Sequence, residues 1–412
     1  MKILIVSSYE STGGAAKSAL RLHEALLAEK INSNMLVQQK NSDRPKVFPN
    51  QGLIQKAHSR IRPALDLSPT RFYKNKDLSL FSPSILPFSG TVAKINQINP
   101  DLVHLHWICG GMLKIEDIAK IKVPIVWSLH DNWAFTGGCH IKLECQKYKN
   151  SCGSCPRLHS RSDNDLSKKV WKRKMKTFSL MNNLSIVGLS NWLNNCSKES
   201  SLLKEKDHFQ LPNLIDCNVF KKLDKISARK LWNLPQNKKI ILFGAMNIND
   251  KLKGFSELID AIGKISTKNV EAVIFGSYKP VNLLDLKIKT HYIGYLGDDI
   301  SMATLYSCAD LTVVPSWEEN LSNVLMESLS CGTPVVGFDI GGNSDLIEHK
   351  KTGYLVDPMN INDMSRGIDW ILNNNDLNQI SNNARQKVLN EFESSVVAKK
   401  YVSLYKNILK IN

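Results

Sequence analysis

The chain has 412 residues, of which 42% are hydrophobic, and it carries a formal net charge of +16 at pH 7. This length suits two domains with ordinary cores, and the chain contains no run of about 18 apolar residues that would predict a membrane-spanning helix. The apolar stretch at residues 3–6 is too short for a secretory signal, so we expect a cytoplasmic protein. The positive charge favours polyanionic partners, such as nucleic acid, anionic lipid or phosphorylated substrates.

The first half of the chain alternates predicted strands with predicted helices. A strand at residues 3–7 precedes a helix at 15–29, where Ala19, Leu22 and Leu26 recur at helical spacing. Further buried strands are predicted at residues 35–38, 101–106, 124–130 and 184–189. Several of these strands end in polar residues, and such ends are candidate ligand sites because ligands of open α/β sheets bind there.

The second half of the chain restarts the same alternation. A helix is predicted at residues 254–265, and strands are predicted at 239–244, 270–276, 291–292, 311–314, 335–338 and 354–356. This pattern predicts an α/β protein with two Rossmann-like domains facing each other across a cleft. We expect an N-terminal domain at 1–212, a C-terminal domain at 213–385, and a final helical segment, 386–412, that crosses back to the first domain.

The most informative segment is 315–336, which follows the strand predicted at 311–314. Glu319 lies in its loop and Glu327 in the helix that follows. The unpartnered amides at a helix start, here those of Leu321, Ser322 and Asn323, can bind phosphate, whereas a carboxylate accepts hydrogen bonds from sugar hydroxyls. This combination predicts a nucleotide-sugar site, and the alternative is a pair of exposed glutamates.

Three further loops carry candidate residues. Gly13 and Gly14 open the first predicted helix, where they either admit a ligand close to the backbone or form a simple tight turn. Lys253, in the loop after a strand, can neutralise a leaving diphosphate. His130 ends a strand, where it either contacts a sugar hydroxyl or is a histidine satisfied within a capped loop.

Four of the nine cysteines crowd into one segment, 139–155. Cys139, Cys145, Cys152 and Cys155 fit a tetrahedral structural zinc site, and the alternative is free or reversibly paired thiols. The other five cysteines are scattered in apolar or mixed contexts and are typical of buried residues in a reducing compartment.

The basic segment 168–178 carries an apolar stripe of Trp171, Met175 and Phe178 at helical spacing. A basic helix with such a stripe can lie on an anionic bilayer. The alternative is an ordinary helix whose stripe faces the core.

Several of these motifs together resemble the retaining glycosyltransferases of family four, which have the GT-B fold. The resemblance spans nearly the whole chain. It is carried by Glu319 and Glu327 with the seven residues between them, the Cys331-Gly332-Thr333-Pro334-Val335-Val336 stretch, Lys253-Gly254, Gly13-Gly14 and Pro212-Asn213. The 133–140 stretch with its cysteine loop, and residues 319–323, are similar to a branch that acts on bacterial surface polysaccharides and lipopolysaccharides.

The resemblance implies a role for each candidate residue. It implies that Glu327 binds the donor ribose and Lys253 the diphosphate. It assigns the donor sugar and phosphates to Glu319 and the residues after it, which are Asn320, Leu321, Ser322 and Asn323. It also implies that His130 lies near the donor sugar and Gly14, with Gly13, near the phosphates. The catalytic candidates are therefore His130, Lys253 and Glu319.

The expected function is transfer of a sugar, with retention of its anomeric configuration, from a UDP- or GDP-linked donor to a hydroxyl of a saccharide acceptor that is lipid-linked. No catalytic cofactor and no nucleic-acid partner are expected, and the enzyme is expected at the inner face of the cytoplasmic membrane, bound to its anionic surface. The alternatives are a nucleotide-sugar epimerase or hydrolase of the same fold and a basic nucleic-acid-binding protein.

Overall fold

The computed structural model describes residues 1–50, 53–73, 81–276 and 286–411. The chain divides into two compact units, of which the first comprises Met1–Leu214 with Val397–Asn412 and the second Ile215–Val396. The division falls two residues after the boundary predicted at 212, and the chain rejoins the first unit at Val397, later than the predicted 386.

In its described residues, the first unit contains a seven-stranded parallel sheet of order β3-β2-β1-β4-β5-β6-β7. The strands are β1 Lys2–Tyr9, β2 Asn32–Gln39, β3 Val47–Pro49, β4 Leu102–Leu105, β5 Ile125–Leu129, β6 Leu184–Gly188 and β7 Asp207–Gln210. The helices are α1 Gly14–Ala28, α2 Leu53–Asp66, α3 Thr91–Ile98, α4 Ile115–Ile118, α5 Leu166–Phe178 and α6 Asn191–Glu199. The strands β4, β5 and β6 are buried throughout, as expected for a parallel sheet covered on both faces.

In its described residues, the second unit contains a six-stranded parallel sheet of order β10-β9-β8-β11-β12-β13. The strands are β8 Lys239–Gly244, β9 Val270–Phe275, β10 Thr290–Gly294, β11 Leu311–Val314, β12 Val335–Phe338 and β13 Gly353–Val356. The helices are α7 Lys225–Leu231, α8 Phe255–Ile262, α9 Asp299–Cys308, α10 Asn323–Ser330, α11 Asn343–Leu346, α12 Ile361–Leu372 and α13 Leu377–Glu391. The predicted class, an α/β protein with two parallel-sheet domains, is confirmed.

In each sheet, the first strands are added on one side and the later strands on the other. The strand order therefore reverses at one point, between β1 and β4 in the first unit and between β8 and β11 in the second. Loops that leave the carboxyl ends of the strands on either side of such a reversal diverge and leave a crevice. In each unit, the carboxyl ends of the strands therefore form the edge of the sheet that favours ligand binding.

The last helix, α14 (Ser394–Leu409), packs on the first unit from Val397 onward. Its buried face shares a core with Ile3 and Ile5 of β1, and consists of Val397, Ala398, Tyr401, Leu404 and Tyr405. The apolar spacing of this face explains why the end of the chain returns to the first sheet.

The apolar stripe of α5 packs inward. Phe178 is buried, and Trp171 and Met175 pack against the same core. The bilayer interpretation of this stripe is therefore wrong, and the core-facing alternative is confirmed. None of the helices in the described parts of the chain combines the length and apolar character needed to span a membrane.

Candidate functional site

Two loops meet at the reversal point of the second sheet, one after β8 and one after β11. Lys253 lies in a short 3-10 turn, Lys251–Lys253, and its Nζ atom is 2.7 Å from Oε1 of Glu319. Ser316 donates a hydrogen bond from its hydroxyl to the same carboxylate oxygen at 2.9 Å. The Glu319 carboxylate raises the pKa of Lys253, so this lysine is fully charged at neutral pH. The sequence predicted both residues at one site, and the structure pairs them directly.

Two glycines hold the loop after β11 in place. Gly254 has a φ of +71°, and a Cβ there would lie 1.8 Å from the Pro315 carbonyl oxygen. Gly341 has a φ of +54°, and a Cβ there would lie 1.7 Å from the Glu319 carbonyl oxygen, which also accepts a hydrogen bond from the Gly342 amide at 3.1 Å. No other residue type fits these two positions without displacing the loop.

Helix α10 begins directly after this loop. Ser322 caps it, because its hydroxyl accepts a hydrogen bond from the Leu325 amide at 3.4 Å. The helix start at Asn323 therefore presents backbone amides beside the loop that carries Glu319 and Asn320, while Leu321 is buried just before the cap. The predicted sequence of loop, cap and helix start is present.

Glu327 lies in the second turn of α10 and is buried, with 4% of its surface exposed. The Tyr306 hydroxyl, from α9, donates a hydrogen bond to its Oε2 atom at 3.0 Å. A buried carboxylate needs such donors to offset its lost hydration. The exposed-glutamate alternative is therefore wrong for Glu327, and the contribution of Tyr306 carried no sequence signal.

In the first unit, the glycine pair follows the carboxyl end of β1, and His130 follows the carboxyl end of β5. Gly13 precedes α1 with a φ of +90° and open space where a Cβ would be, and Gly14 is the first residue of that helix. His130 follows β5 and is half-buried, and its Nε2 atom is 2.8 Å from Nδ1 of His106. Burial lowers the pKa of His130 to about 4, although Asp131 opposes the shift, so the imidazole is neutral at neutral pH.

A second polar cluster, absent from the sequence prediction, adjoins His130. Asp131 lies 2.6 Å from Nδ1 of His140 and accepts a hydrogen bond from the Trp107 indole at 3.0 Å. Burial alone would raise the pKa of Asp131, but His140 and the Trp133 amide hold it below its ordinary value. The only available signal was the position of His140, directly after the first cysteine of the cysteine loop.

The four clustered cysteines line one cavity of about 20 Å³. Cys139, Cys152 and Cys155 are buried, Cys145 is half-buried, and all four are free thiols. In the described parts of the chain, no group of three or more His, Cys, Asp and Glu side chains is ready to hold a metal ion as it stands. The structure thus brings the four predicted residues to one place without closing a coordination shell.

The second unit matches a family of known proteins. Residues 224–387 fit the family model described as glycosyl transferases group 1. This match contains Lys253, Glu319 and Glu327, the three side chains described at the reversal point of the second sheet.

Three relatives extend the comparison along the chain. An uncharacterized glycosyltransferase of Methanocaldococcus jannaschii is 31% identical over 44% of this chain and 48% of its own length, so the chain spans about half of that relative. The N-acetyl-alpha-D-glucosaminyl L-malate synthase of Bacillus anthracis is 24% identical over 80% of this chain and 81% of its own. WcaC of Escherichia coli K12, named for colanic acid biosynthesis, is 23% identical over 82% of each chain.

Solved structures with a similar fold cover the whole chain. Sucrose-phosphate synthase from Thermosynechococcus elongatus superposes with a TM-score of 0.71 at 19% identity, covering 100% of both chains. Anabaena HepE in complex with UDP covers 99% of this chain and 100% of its own, with a TM-score of 0.66 at 17% identity. WaaG, a glycosyltransferase involved in lipopolysaccharide biosynthesis, covers 98% of this chain and 99% of its own, with a TM-score of 0.64 at 13% identity.

The chain therefore has the GT-B fold of these glycosyltransferases, with one parallel-sheet α/β domain in each unit. Within its second unit, residues 224–387 match the model of the glycosyl transferases group 1 family.

Proposed function

We propose that the chain is a retaining glycosyltransferase that moves a sugar from a nucleoside diphosphate sugar to a hydroxyl of a saccharide. The observation that carries the proposal is the set of groups at the reversal point of the second sheet. Lys253 and Glu319 are paired at 2.7 Å, and the loop that holds Glu319 leads into the start of α10. The cation and the helix start suit the diphosphate of such a donor, and the acid suits the hydroxyls of its sugar.

The diphosphate is the part of the donor that Lys253 and the start of α10 bind. Backbone amides at a helix N-terminus favour an anion, and a lysine adds a point charge. In this proposal the diphosphate takes the place of Glu319 as the partner of Lys253, and the Glu319 carboxylate then accepts hydrogen bonds from the donor sugar.

The ribose is assigned to Glu327. A carboxylate can accept about four hydrogen bonds, so acceptance from Tyr306 is compatible with acceptance from ribose hydroxyls. The position of Glu327 in α10 fixes its distance from the helix start, since each residue advances about 1.5 Å along the axis. Phosphate at the helix start and ribose at Glu327 are then held by one rigid element.

The transfer follows a front-face route. The acceptor hydroxyl attacks the anomeric carbon on the side from which the diphosphate leaves. The bond from the anomeric carbon to the diphosphate oxygen breaks, the bond to the acceptor oxygen forms, and the hydroxyl proton passes to the departing diphosphate. Lys253 and the α10 amides stabilise the charge on the leaving group. His130, neutral at neutral pH, is assigned a hydrogen bond to a donor-sugar hydroxyl, with Gly13 and Gly14 near the phosphates.

The substrates are assigned from the relatives. HepE, solved with UDP and with UDP-glucose, favours a UDP-linked donor, with GDP as the second candidate. WcaC and WaaG favour a role in bacterial surface polysaccharide synthesis, with a lipid-linked saccharide as acceptor. We place the enzyme in the cytoplasm, at the inner face of the cytoplasmic membrane. An excess of positive charge supports association with that anionic surface.

A donor screen tests the proposal. The purified chain is incubated with UDP- and GDP-linked sugars, with and without lipid-linked saccharides, and release of nucleoside diphosphate is followed. We expect release that depends on the acceptor, and a product whose anomeric configuration, read by NMR coupling constants, matches that of the donor.

Other results of the screen would contradict the proposal. Isomerisation of the donor sugar, or release of nucleoside diphosphate without acceptor, would indicate an epimerase or a hydrolase. An inverted product would contradict the front-face route. No turnover at all, combined with salt-sensitive binding of RNA or DNA, would indicate a nucleic-acid-binding protein.

A further inference from the structure

The cysteine loop is a built structure that the proposed transfer reaction does not use. It runs through residues 139–155 in the first unit, and its four cysteines line the 20 Å³ cavity together with Lys147, Tyr148 and Arg157. Such a volume is enough for about one water-sized particle. Four cysteine side chains, whose sulfurs are soft metal ligands, thus line a space large enough for one metal ion.

The loop is cross-braced independently of its cysteines. Lys147 donates hydrogen bonds to the carbonyl oxygens of Gly153 and Ser154, at 2.9 and 2.8 Å. These two residues form the middle of the Cys152-x-x-Cys155 pair. Asp165, the cap of α5, accepts a hydrogen bond from the Cys155 amide at 2.8 Å. The backbone of the cysteine pair is therefore fixed from both sides, which limits the sulfur positions.

The backbone supplies one hydrogen-bond donor to a sulfur of the cluster, and two basic side chains line the cavity. The Gly137 amide donates a hydrogen bond to the Cys152 sulfur at 3.1 Å. A Cβ at Gly137 would lie 2.4 Å from the Ser167 carbonyl oxygen and 2.7 Å from the Cys152 Cβ, so this close approach requires glycine. Zinc with four thiolates carries a net charge of about −2, and two basic side chains, Lys147 and Arg157, line the same cavity.

We propose that Cys139, Cys145, Cys152 and Cys155 bind one zinc ion as a structural tetrathiolate site. Four sulfur ligands select zinc among the common divalent ions, and four protein ligands leave no open position for catalysis. Because the side chains are not yet arranged as a coordination shell, zinc draws the sulfurs inward to about 2.3 Å. The half-buried Cys145 has the most freedom to move.

The site anchors the polar cluster next to His130. Cys139 directly precedes His140, whose ring nitrogens contact Asp131 at 2.6 Å and the Ser82 hydroxyl at 2.9 Å. The backbone on either side is also tied, because the Ser82 amide bonds to the Gly138 carbonyl at 2.8 Å. Zinc at Cys139 therefore fixes the loop that holds His140 against Asp131.

Metal analysis of the intact chain tests the site. The chain is produced without a histidine tag, in zinc-supplemented medium and under reducing conditions, and its zinc content is measured by elemental analysis. We expect about one zinc per chain. Replacement with cobalt should give the near-ultraviolet sulfur-to-cobalt charge-transfer band and the strong visible bands of a tetrahedral thiolate site. This readout needs no variant and does not depend on enzyme activity.

Variants separate this site from other cysteines. Cys152→Ser and Cys155→Ser should lose most of the bound zinc, whereas Cys217→Ser, a buried cysteine of the second unit, should keep it. Three results would overturn the proposal: wild-type protein with far less than one zinc per chain and no cobalt–thiolate bands, equal zinc loss in Cys217→Ser, or a disulfide among the four cysteines in zinc-supplemented, reduced protein.

Discussion

Gly341→Ala is the substitution that tests most sharply whether the loop carrying Glu319 is a functional element. The new Cβ would lie 1.7 Å from the Glu319 carbonyl oxygen, whereas real Cβ contacts are essentially never under 3.0 Å. The two atoms must therefore separate by at least about 1.3 Å (3.0 less 1.7). The clash is with backbone, so no side chain can turn aside to relieve it.

The expected effect on activity is larger than the effect on stability. A displacement of about 1 Å at a reacting group can cost roughly 100-fold in rate, so we expect a loss of about that size in kcat/KM. The φ of +54° adds a left-handed strain of about 1–2 kcal/mol for alanine. This strain adds to the cost of moving the loop, so urea unfolding should show a lower stability of the second unit in a protein that still folds.

The assay measures kcat/KM for acceptor-dependent release of nucleoside diphosphate, and urea unfolding of the same samples gives the free energy of unfolding. Gly263→Ala is the matched control, because Gly263 has no left-handed backbone and its nearest contacts would be 3.5 and 3.6 Å. Wild-type kcat/KM in a folded Gly341→Ala protein would refute the functional role of the loop. Equal losses in both variants would refute its specificity.

Three further predictions concern other described contacts. Tyr306→Phe removes the hydroxyl that donates a hydrogen bond to buried Glu327. Calorimetry should show nucleoside diphosphate binding weakened by no more than about 3 kcal/mol, and an unchanged affinity would count against the ribose role of Glu327. Arg229→Met removes the buried cation 2.8 Å from Asp310 and leaves that carboxylate only Lys225, at 3.0 Å, as a charged partner; it should cost about 3 kcal/mol in urea unfolding, whereas a loss near zero would contradict this. Burial, reinforced by Lys46, lowers the pKa of His23 to about 4. Only the unfolded chain then binds this proton between pH 6.5 and 4, so His23 by itself should lower stability by about 3 kcal/mol as pH falls through this window; His23→Gln should make the fall shallower by that amount, and an unchanged slope would contradict the assignment.

The fold could be predicted because periodicity is local. Short apolar runs that alternate with segments of helical periodicity identified most strands of both sheets, because each strand of a parallel sheet is buried over its whole length. The short strands β3 and β7 were missed, because an edge strand of three or four residues leaves little periodic signal.

The candidate site could be predicted only in part. The sequence named Lys253 and Glu319, but their contact joins residues 66 positions apart and depends on how two loops cross the sheet edge. The same holds for Gly341, which acts on Glu319 through a close backbone approach. No local pattern encodes such contacts, so they follow only from the assembled sheet.

The orientation of α5 shows a different limit. Its spacing permitted a stripe facing either the core or a bilayer, and packing decides between the two. Lys174, on the expected polar side, is fully buried with its amine 3.6 Å from the Trp133 ring centroid. It also donates a hydrogen bond to the Thr136 carbonyl at 3.1 Å. A charged residue in a sequence pattern is counted as solvent-facing, and only the acceptors supplied by the 133–136 turn make its burial tolerable.

Calorimetric titration of the chain with UDP and GDP, repeated for Lys253→Ala and Lys251→Ala, tests most directly whether the second unit binds a diphosphate where we place it. The two lysines share one short turn, but Lys251 is exposed whereas Lys253 meets Glu319. We predict that Lys253→Ala weakens nucleotide binding at least about tenfold, or 1.4 kcal/mol, and that Lys251→Ala binds as the wild type does. Equal affinities in all three proteins, or equal losses in both variants, would contradict the account.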